Sequence, residues 1–362
     1  MKLVIVGPAF PLRGGIAHHV YRLDEALRKR GHCSSIISYS RLYPSFLFPG
    51  KTTQDTSRDA LEADALSILD SINPITWFRA INTIERLDPD LVLFEWWTPF
   101  LAPVIGSMTR LLRRKGFKCI LECHNVSPHE RSFLDLPTVQ YGLGAADALI
   151  AFSRPNLAYL KQLFPETDSV YSPLPAPFAF PGEARPEGMT ILFFGVIRPY
   201  KGLDVLLRAL KIAITEVKCN LIIAGESYEP AGKYARMIRE LGLEGVVEVD
   251  DRYIPNEEIL NLLERADVVA LPYLRASQSG VLKMALGSGL PAVASNAGSF
   301  ADEIVDEVNG LLVKPGDPVS LANALIRYFK EGLGPKFNQN LRLAAGTDDS
   351  AILVEIIESL AP

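Results

Sequence analysis

The sequence predicts an α/β protein made of two doubly wound, Rossmann-like domains that face each other across a cleft. Three observations carry this. A chain of 362 residues, at about 150 residues per domain, holds about two domains. Apolar runs of strand length alternate with longer stretches of helical spacing, the pattern of βαβ units around parallel sheets. A segment rich in proline (Pro173, Pro175, Pro177, Pro181, Pro186) then divides this pattern into two halves. Prolines lack the amide donor and fix φ, so the segment reads as a linker.

In the first half the strands are predicted at Lys2–Gly7, Ser35–Tyr39, Leu91–Glu95, Lys118–His124 and Ala148–Phe152. Between them, helical spacing covers Ile16–Arg30, Thr76–Leu87 and Ala102–Lys115. In the second half the strands are Thr190–Gly195, Asn220–Gly225, Val246–Val249, Val268–Leu271 and Ala292–Ser295. The helices there are Leu203–Val217, Gly232–Leu241, Asn256–Arg265, Gly280–Gly287 and Pro318–Lys330. A short echo links the halves: Ala146-Asp147 and Ala266-Asp267 each lead into an apolar run. The expected division is residues 1–171, a linker over 172–189, a second domain over 190–335, and a helical segment over 336–362 that packs back on the first domain.

Composition removes several function classes. Basic residues number 37 and acidic residues 42, a net charge of −5. A nucleic-acid binder needs a basic face, so nucleic acid is not an expected partner. The four cysteines (Cys33, Cys119, Cys123, Cys219) are too few for a disulfide scaffold and point to a reducing, cytoplasmic setting. Met1-Lys2 runs straight into a strand, so no export signal is expected. The most apolar window, Leu91 to Met108, is interrupted by Glu95, Pro99 and Pro103, which argues against a bilayer-spanning helix. Contact with a membrane is expected to be peripheral at most.

In doubly wound sheets, ligands sit beyond the carboxyl ends of the strands, so the residues that follow each strand matter most. After the first strand, Gly14-Gly15 opens a helix whose free amides make an anion seat. After the first strand of the second half come Gly195, Arg198 and Lys201, with Gly202 opening the next helix. A guanidinium fork and a compact ammonium at one strand end suit a diphosphate. Gln278-Ser279-Gly280 stands at another helix start and offers amides and a hydroxyl to the same kind of group. His124 ends a strand, with His129 and Glu130 in the loop behind it as weaker candidates.

No metal is expected. Cys119 and Cys123 lie four residues apart on one strand, about 13 Å from each other, too far to share zinc with His124. Asp88-Pro89-Asp90 has an Asp-x-Asp form but precedes its strand, so it reads as a strand-opening turn at the wrong end of the sheet.

The chain resembles the family-4 retaining glycosyltransferases of GT-B fold. The residues that carry the resemblance are Gly14-Gly15, the run Gly195, Arg198, Lys201 and Gly202, and the later Asp306-Glu-Val-Asn309-Gly310-Leu-Leu-Val313. The resemblance implies sugar transfer from a nucleotide-sugar donor, such as a UDP- or GDP-sugar, to a glycan or glycolipid acceptor of the cell envelope, with no cofactor besides that substrate. It makes residues 1–171 the acceptor side and 190–335 the donor side. It implies that Arg198 and Lys201 hold the donor diphosphate, that Gly14-Gly15 approaches it from the other domain, and that His124 contacts the donor sugar. Gly195, Gly225, Gln278, Ser279 and Gly280 complete the expected donor face, with Tyr253 near the base. The sequence departs from the family at its paired glutamates, whose positions fall on Ala276 and Met284; a thioether cannot accept the ribose hydroxyls. A nucleotide-sugar epimerase or phosphorylase on the same fold, and a non-catalytic nucleotide-sugar binding subunit, are the competing readings.

Two further stretches are open. Arg41 to Gly50 places aromatic residues between Pro44 and Pro49 and reads either as a core plug or as a contact to lipid. Leu111–Lys115 reads as a solvated helix end whose cations match the negative terminus.

Overall fold

A computed structural model describes residues 1–44, 50, 52–126, 135–176, 188–344 and 349–361. The chain forms two compact units. One comprises Met1–Thr56, Ala60–Pro177 and Asp348–Pro362; the other comprises Ser57–Asp59 and Phe178–Thr347. The proline-rich linker falls mostly outside the described residues, as do His129, Glu130 and the centre of the Arg41–Gly50 loop.

The first unit carries strands β1 (Lys2–Val6), β2 (Cys33–Arg41), β3 (Ala65–Asp70), β4 (Leu91–Trp96), β5 (Lys118–Cys123), β6 (Ala148–Ala151) and β7 (Asp168–Tyr171). They form one sheet in the order β3-β2-β1-β4-β5-β6-β7, every adjacent pair parallel. Its helices are α1 (Gly15–Lys29), α2 (Pro74–Leu87), α3 (Ala102–Arg114), α4 (Asp135–Leu143) and α5 (Arg154–Leu163). The second unit carries β8 (Thr190–Phe194), β9 (Asn220–Ala224), β10 (Val247–Asp250), β11 (Val268–Leu271), β12 (Ala292–Ser295) and β13 (Gly310–Val313), in the order β10-β9-β8-β11-β12-β13. Its helices are α6 (Leu203–Ala213), α7 (Lys233–Leu241), α8 (Asn256–Glu264), α9 (Gly280–Gly287), α10 (Phe300–Glu303), α11 (Pro318–Lys330) and α12 (Leu333–Ala344). The last helix of the chain, α13 (Asp349–Leu360), belongs to the first unit.

Helices cover both faces of each sheet, and successive strand residues feed opposite faces. In β1, Leu3 and Ile5 pack with Leu23 and Leu27 of α1 and with Leu353 and Ile357 of α13. Val4 and Val6 pack on the other side with Ile81 and Ile84 of α2 and Val104 and Met108 of α3. β8 does the same. Ile191 and Phe193 join Leu206 of α6 and Leu321 of α11, while Leu192 and Phe194 join Ile259 of α8 and Leu282 of α9.

The segment 336–362, expected as one piece on the first domain, is divided. Phe337 and the rest of α12 belong to the second unit's core, while α13 reaches the first unit through Leu353, Val354 and Ile357. Arg30 and His32 add polar contacts to Glu358 of α13, at 3.3 and 2.8 Å. Strands β3, β7 and β13 had no clear apolar alternation to announce them. Only two of the six β3 residues are buried, and β3, β7 and β13 are edge strands.

One device opens several strands. Asp90 accepts the Lys2 amide at 2.7 Å while its own amide donates to the Lys2 carbonyl at 2.9 Å. Asp267 closes the same ring with Thr190, at 2.8 and 2.9 Å, and Asp147 with Cys119, at 2.8 Å in both directions. Each aspartate satisfies an amide at the opening of the neighbouring strand, where a ladder partner is otherwise lacking. This is the work of the Ala-Asp echo and of the Asp88-Pro89-Asp90 turn.

Candidate active site

The second unit places its expected donor residues along the carboxyl edge of its sheet. Gly195 and Gly225 end β8 and β9, and they are packed back to back: a Cβ on Gly225 would stand 2.3 Å from the Gly195 carbonyl oxygen. No larger residue fits there. This lets the chain after β8 turn tightly into a short 3-10 turn, Pro199–Lys201, with Arg198 at its start. Arg198 lies over the Tyr228 ring at 4.6 Å, a stacking that steadies a guanidinium without neutralising it.

Lys201 is only 8% exposed. Its ammonium stands 5.4 Å from the centre of the Tyr273 ring and 3.3 Å from where a Gly195 Cβ would be. Burial pulls its pKa below the ordinary lysine value, and the nearby Arg198 charge adds to that. The groups acting on it are Tyr200 and Arg198, with no described carboxylate among them.

Ser279 is the N-cap of α9, its hydroxyl accepting the Leu282 amide at 3.2 Å. The amides of Gly280 and Val281 lie in the first turn, where no intrahelical acceptor exists. Gln278 precedes them, and Tyr253 lies in the segment between β10 and α8. Met284, at the position of the family's second glutamate, is buried in the apolar core against α9's own sheet face. The Asp306–Val313 run is a turn that feeds β13. The Asp306 carboxylate accepts the Leu312 amide at 2.9 Å, and the Asn309 side chain accepts the Val305 amide at 2.9 Å and donates to the Glu303 carbonyl at 3.1 Å.

In the first unit, Gly14 and Gly15 start α1, Gly14 with φ of 119°. Added Cβ atoms would meet nothing among the described residues within 4 Å at either position. No acidic residue occupies the first turn.

His124 is placed as expected at the end of β5, but it is 5% exposed and engaged. Its Nε2 lies 2.6 Å from Glu95 Oε2 at the end of β4. Beside it, His19 of α1 puts Nε2 2.5 Å from Glu122 Oε2. Glu95 and Glu122 are register partners on adjacent parallel strands, so their side chains leave the sheet on the same face. The rings of His19 and His124 meet edge to face at 4.8 Å. Burial raises the Glu95 pKa well above the carboxylate range, and the facing Glu122 pushes the same way. Burial, helped by His19, lowers that of His124. His19, Glu95 and Glu122 were not among the sequence candidates. Their signal was present: two acidic residues inside otherwise apolar strands.

Asp88 and Asp90 stand at the opening of β4, away from these groups, in the turn described above. Cys119 and Cys123 are free and buried. Among the described residues no helix is long and apolar enough to cross a membrane.

The comparisons with known proteins agree with this architecture. The family model described as Glycosyltransferase Family 4 matches residues 13–171, and the one described as Glycosyl transferases group 1 matches residues 188–331. A D-inositol 3-phosphate glycosyltransferase of Nocardioides sp. is 32% identical over 181 residues, 46% of this chain and 38% of that protein. One from Corynebacterium diphtheriae is 34% identical over 140 residues, 37% of this chain and 32% of that protein. These matches thus span less than two fifths of the relatives' length. Among solved structures, sucrose-phosphate synthase from Thermosynechococcus elongatus aligns over 99% of both chains with a TM-score of 0.78 and 17% identity. Anabaena HepE in complex with UDP-glucose aligns over 99% of both chains with a TM-score of 0.75 and 18% identity. At such identity the likeness speaks for the fold, which is GT-B. A glycosyltransferase family model thus matches each half of the chain, and together with the fold these matches support a glycosyltransferase of the family-4 type.

Proposed function

We propose that this protein transfers a sugar from a nucleotide-sugar donor to a glycan or glycolipid acceptor, with retention of configuration. The observation that carries the reading is Lys201, a buried ammonium with no described carboxylate acting on it. A buried cation is costly unless an anion completes it. A diphosphate does so, and the nearby Arg198 and the first-turn amides of α9 add donors suited to its oxygens. UDP and UDP-glucose in the HepE complexes support a donor of that class.

In this reading Arg198, Lys201 and the amides of Gly280 and Val281 take up the charge of the leaving nucleoside diphosphate. No metal at the phosphates and no separate cofactor are required. On the first unit, Gly14 and Gly15 give α1 a positive start suited to an anion, and His124 is assigned the role of orienting the sugar. The bond from the anomeric carbon to the diphosphate oxygen breaks while the bond to the acceptor oxygen forms on the same face. The leaving phosphate takes the acceptor's proton.

Replacing Arg198 and Lys201 together by alanine removes two charge-assisted contacts, so donor turnover is expected to fall about 100-fold or more. Unchanged kinetics in a folded double variant would refute the assignment. A panel of nucleotide sugars separates the competing readings. Acceptor-dependent nucleotide release marks the transferase, an isomerised donor marks an epimerase, sugar phosphate release marks a phosphorylase, and binding without turnover marks a silent subunit.

A further inference from the structure

We propose that His19, Glu95, Glu122 and His124 form a binding site for one divalent transition-metal cation of the zinc class, buried inside the first unit. The four side chains come from three elements and the end of a fourth segment: α1, β4, β5 and the residue after β5. One ligand atom from each, an imidazole nitrogen of the two histidines and a carboxylate oxygen of the two glutamates, lies within 4.8 Å of all the others. Ligands held at about 2.1 Å from a common ion stand about 3.4 Å apart in a tetrahedron. The present pairs at 2.5 and 2.6 Å must open slightly and the widest separation must close slightly.

The placement of the carboxylate oxygens points to a cation rather than to a closed network of hydrogen bonds. Glu95 Oε1 and Glu122 Oε1 are fully buried and have no hydrogen-bond partner among the described residues. Glu95 Oε1 stands 3.9 Å from His19 Nε2, facing into the cluster. An unpaired buried carboxylate oxygen costs folding free energy, and here there are two, on side chains that the parallel register forces side by side. As ligands, two carboxylates and two neutral imidazoles would carry a charge of −2, which a single divalent ion cancels.

The donor set narrows the ion. Two imidazole nitrogens with two carboxylate oxygens suit zinc, manganese or iron(II), whereas calcium and magnesium call for more oxygens and water. Zinc binds such a set more tightly than manganese or iron(II). All four residues are buried, so the ion ties α1 to two central strands. Ligation through His124 Nε2 would also fix that ring. The site stands on the first unit's side chains alone and does not rest on the transferase reading.

The test is a metal count on the untagged full chain, purified without chelator from cells grown with and without added zinc. About one divalent transition ion per chain is the expected result. Chain expressed in cobalt-supplemented minimal medium should carry cobalt(II) with the intense visible bands of a low-coordinate nitrogen and oxygen site. Glu122→Gln and His19→Asn should each lower the ion content at least tenfold, with circular dichroism confirming that the chain is folded. Wild-type chain that carries no stoichiometric ion from any of these media overturns the proposal, whether or not the variants fold. So does an ion content that both variants retain, since the ion then sits elsewhere. Neither readout requires a donor or an acceptor.

Discussion

At their amino ends the central strands of the two units are built alike. Asp90 closes a backbone ring with Lys2, and Asp267 closes one with Thr190, at distances that agree within 0.1 Å. At the carboxyl ends the units diverge. The first gathers two glutamates and two histidines into a dry cluster. The second pairs glycines at the ends of β8 and β9 and sets a buried lysine and a stacked arginine behind them. Strand openings solve a backbone problem that recurs wherever a parallel strand begins. Strand ends are where loop side chains converge, so the same topology is free to carry different chemistry there.

The glycines offer the largest effect with which to break that comparison. Gly225→Ala drives a Cβ into the Gly195 carbonyl at a φ of 144°, and is expected to cost about 3 kcal/mol or more. Gly14→Ala meets open space and keeps only the strain of a positive φ, about 1–2 kcal/mol. Urea midpoints measure both, and equal costs would mean that the two glycine turns are not of different kinds.

Lys201 gives the next effect. Its folded pKa lies below the ordinary value, so between the two the unfolded chain binds more protons. The stability of the ligand-free protein therefore rises with pH through that window, while affinity for a nucleoside diphosphate falls as the ammonium is lost. Loss of one charge-assisted contact amounts to about 2 kcal/mol, or near 30-fold in Kd. Opposite slopes in melting temperature, without and with UDP, are the expected signature. Lys201→Met should flatten both.

The strand-opening rings give the smallest effect. Asp267→Ala strands the partly buried Thr190 amide and also the Gly188 amide, at about 1.5 kcal/mol. Asp90→Ala frees an amide that water can reach, at about 0.5 kcal/mol. The reverse order in chemical denaturation would show that the two rings carry different loads.

Much of the site was legible from residue type and position. Arg198, Lys201, Gly195 and Gly225 announce themselves because they follow apolar runs that had to be strands. The turn Asp88-Pro89-Asp90 was legible as such because it precedes its strand. The quartet was not read. Glu95 and Glu122 lie about 27 residues apart in the sequence, and only the parallel register of β4 with β5 makes them neighbours. His19 reaches them from a helix whose rotation about its axis is set by packing. The division of the final segment between the units was equally hidden, since α12 and α13 both show helical spacing and neither names its partner.

Periodicity, glycine placement and the order of apolar runs were enough by themselves to determine two doubly wound sheets and a cationic strand end, because these follow from local sterics and from which residues avoid water. Which buried polar groups meet, and which unit each terminal helix covers, was decided by tertiary structure alone. Such contacts depend on strand register and helix docking, which are settled by packing across the whole sheet rather than by any one segment.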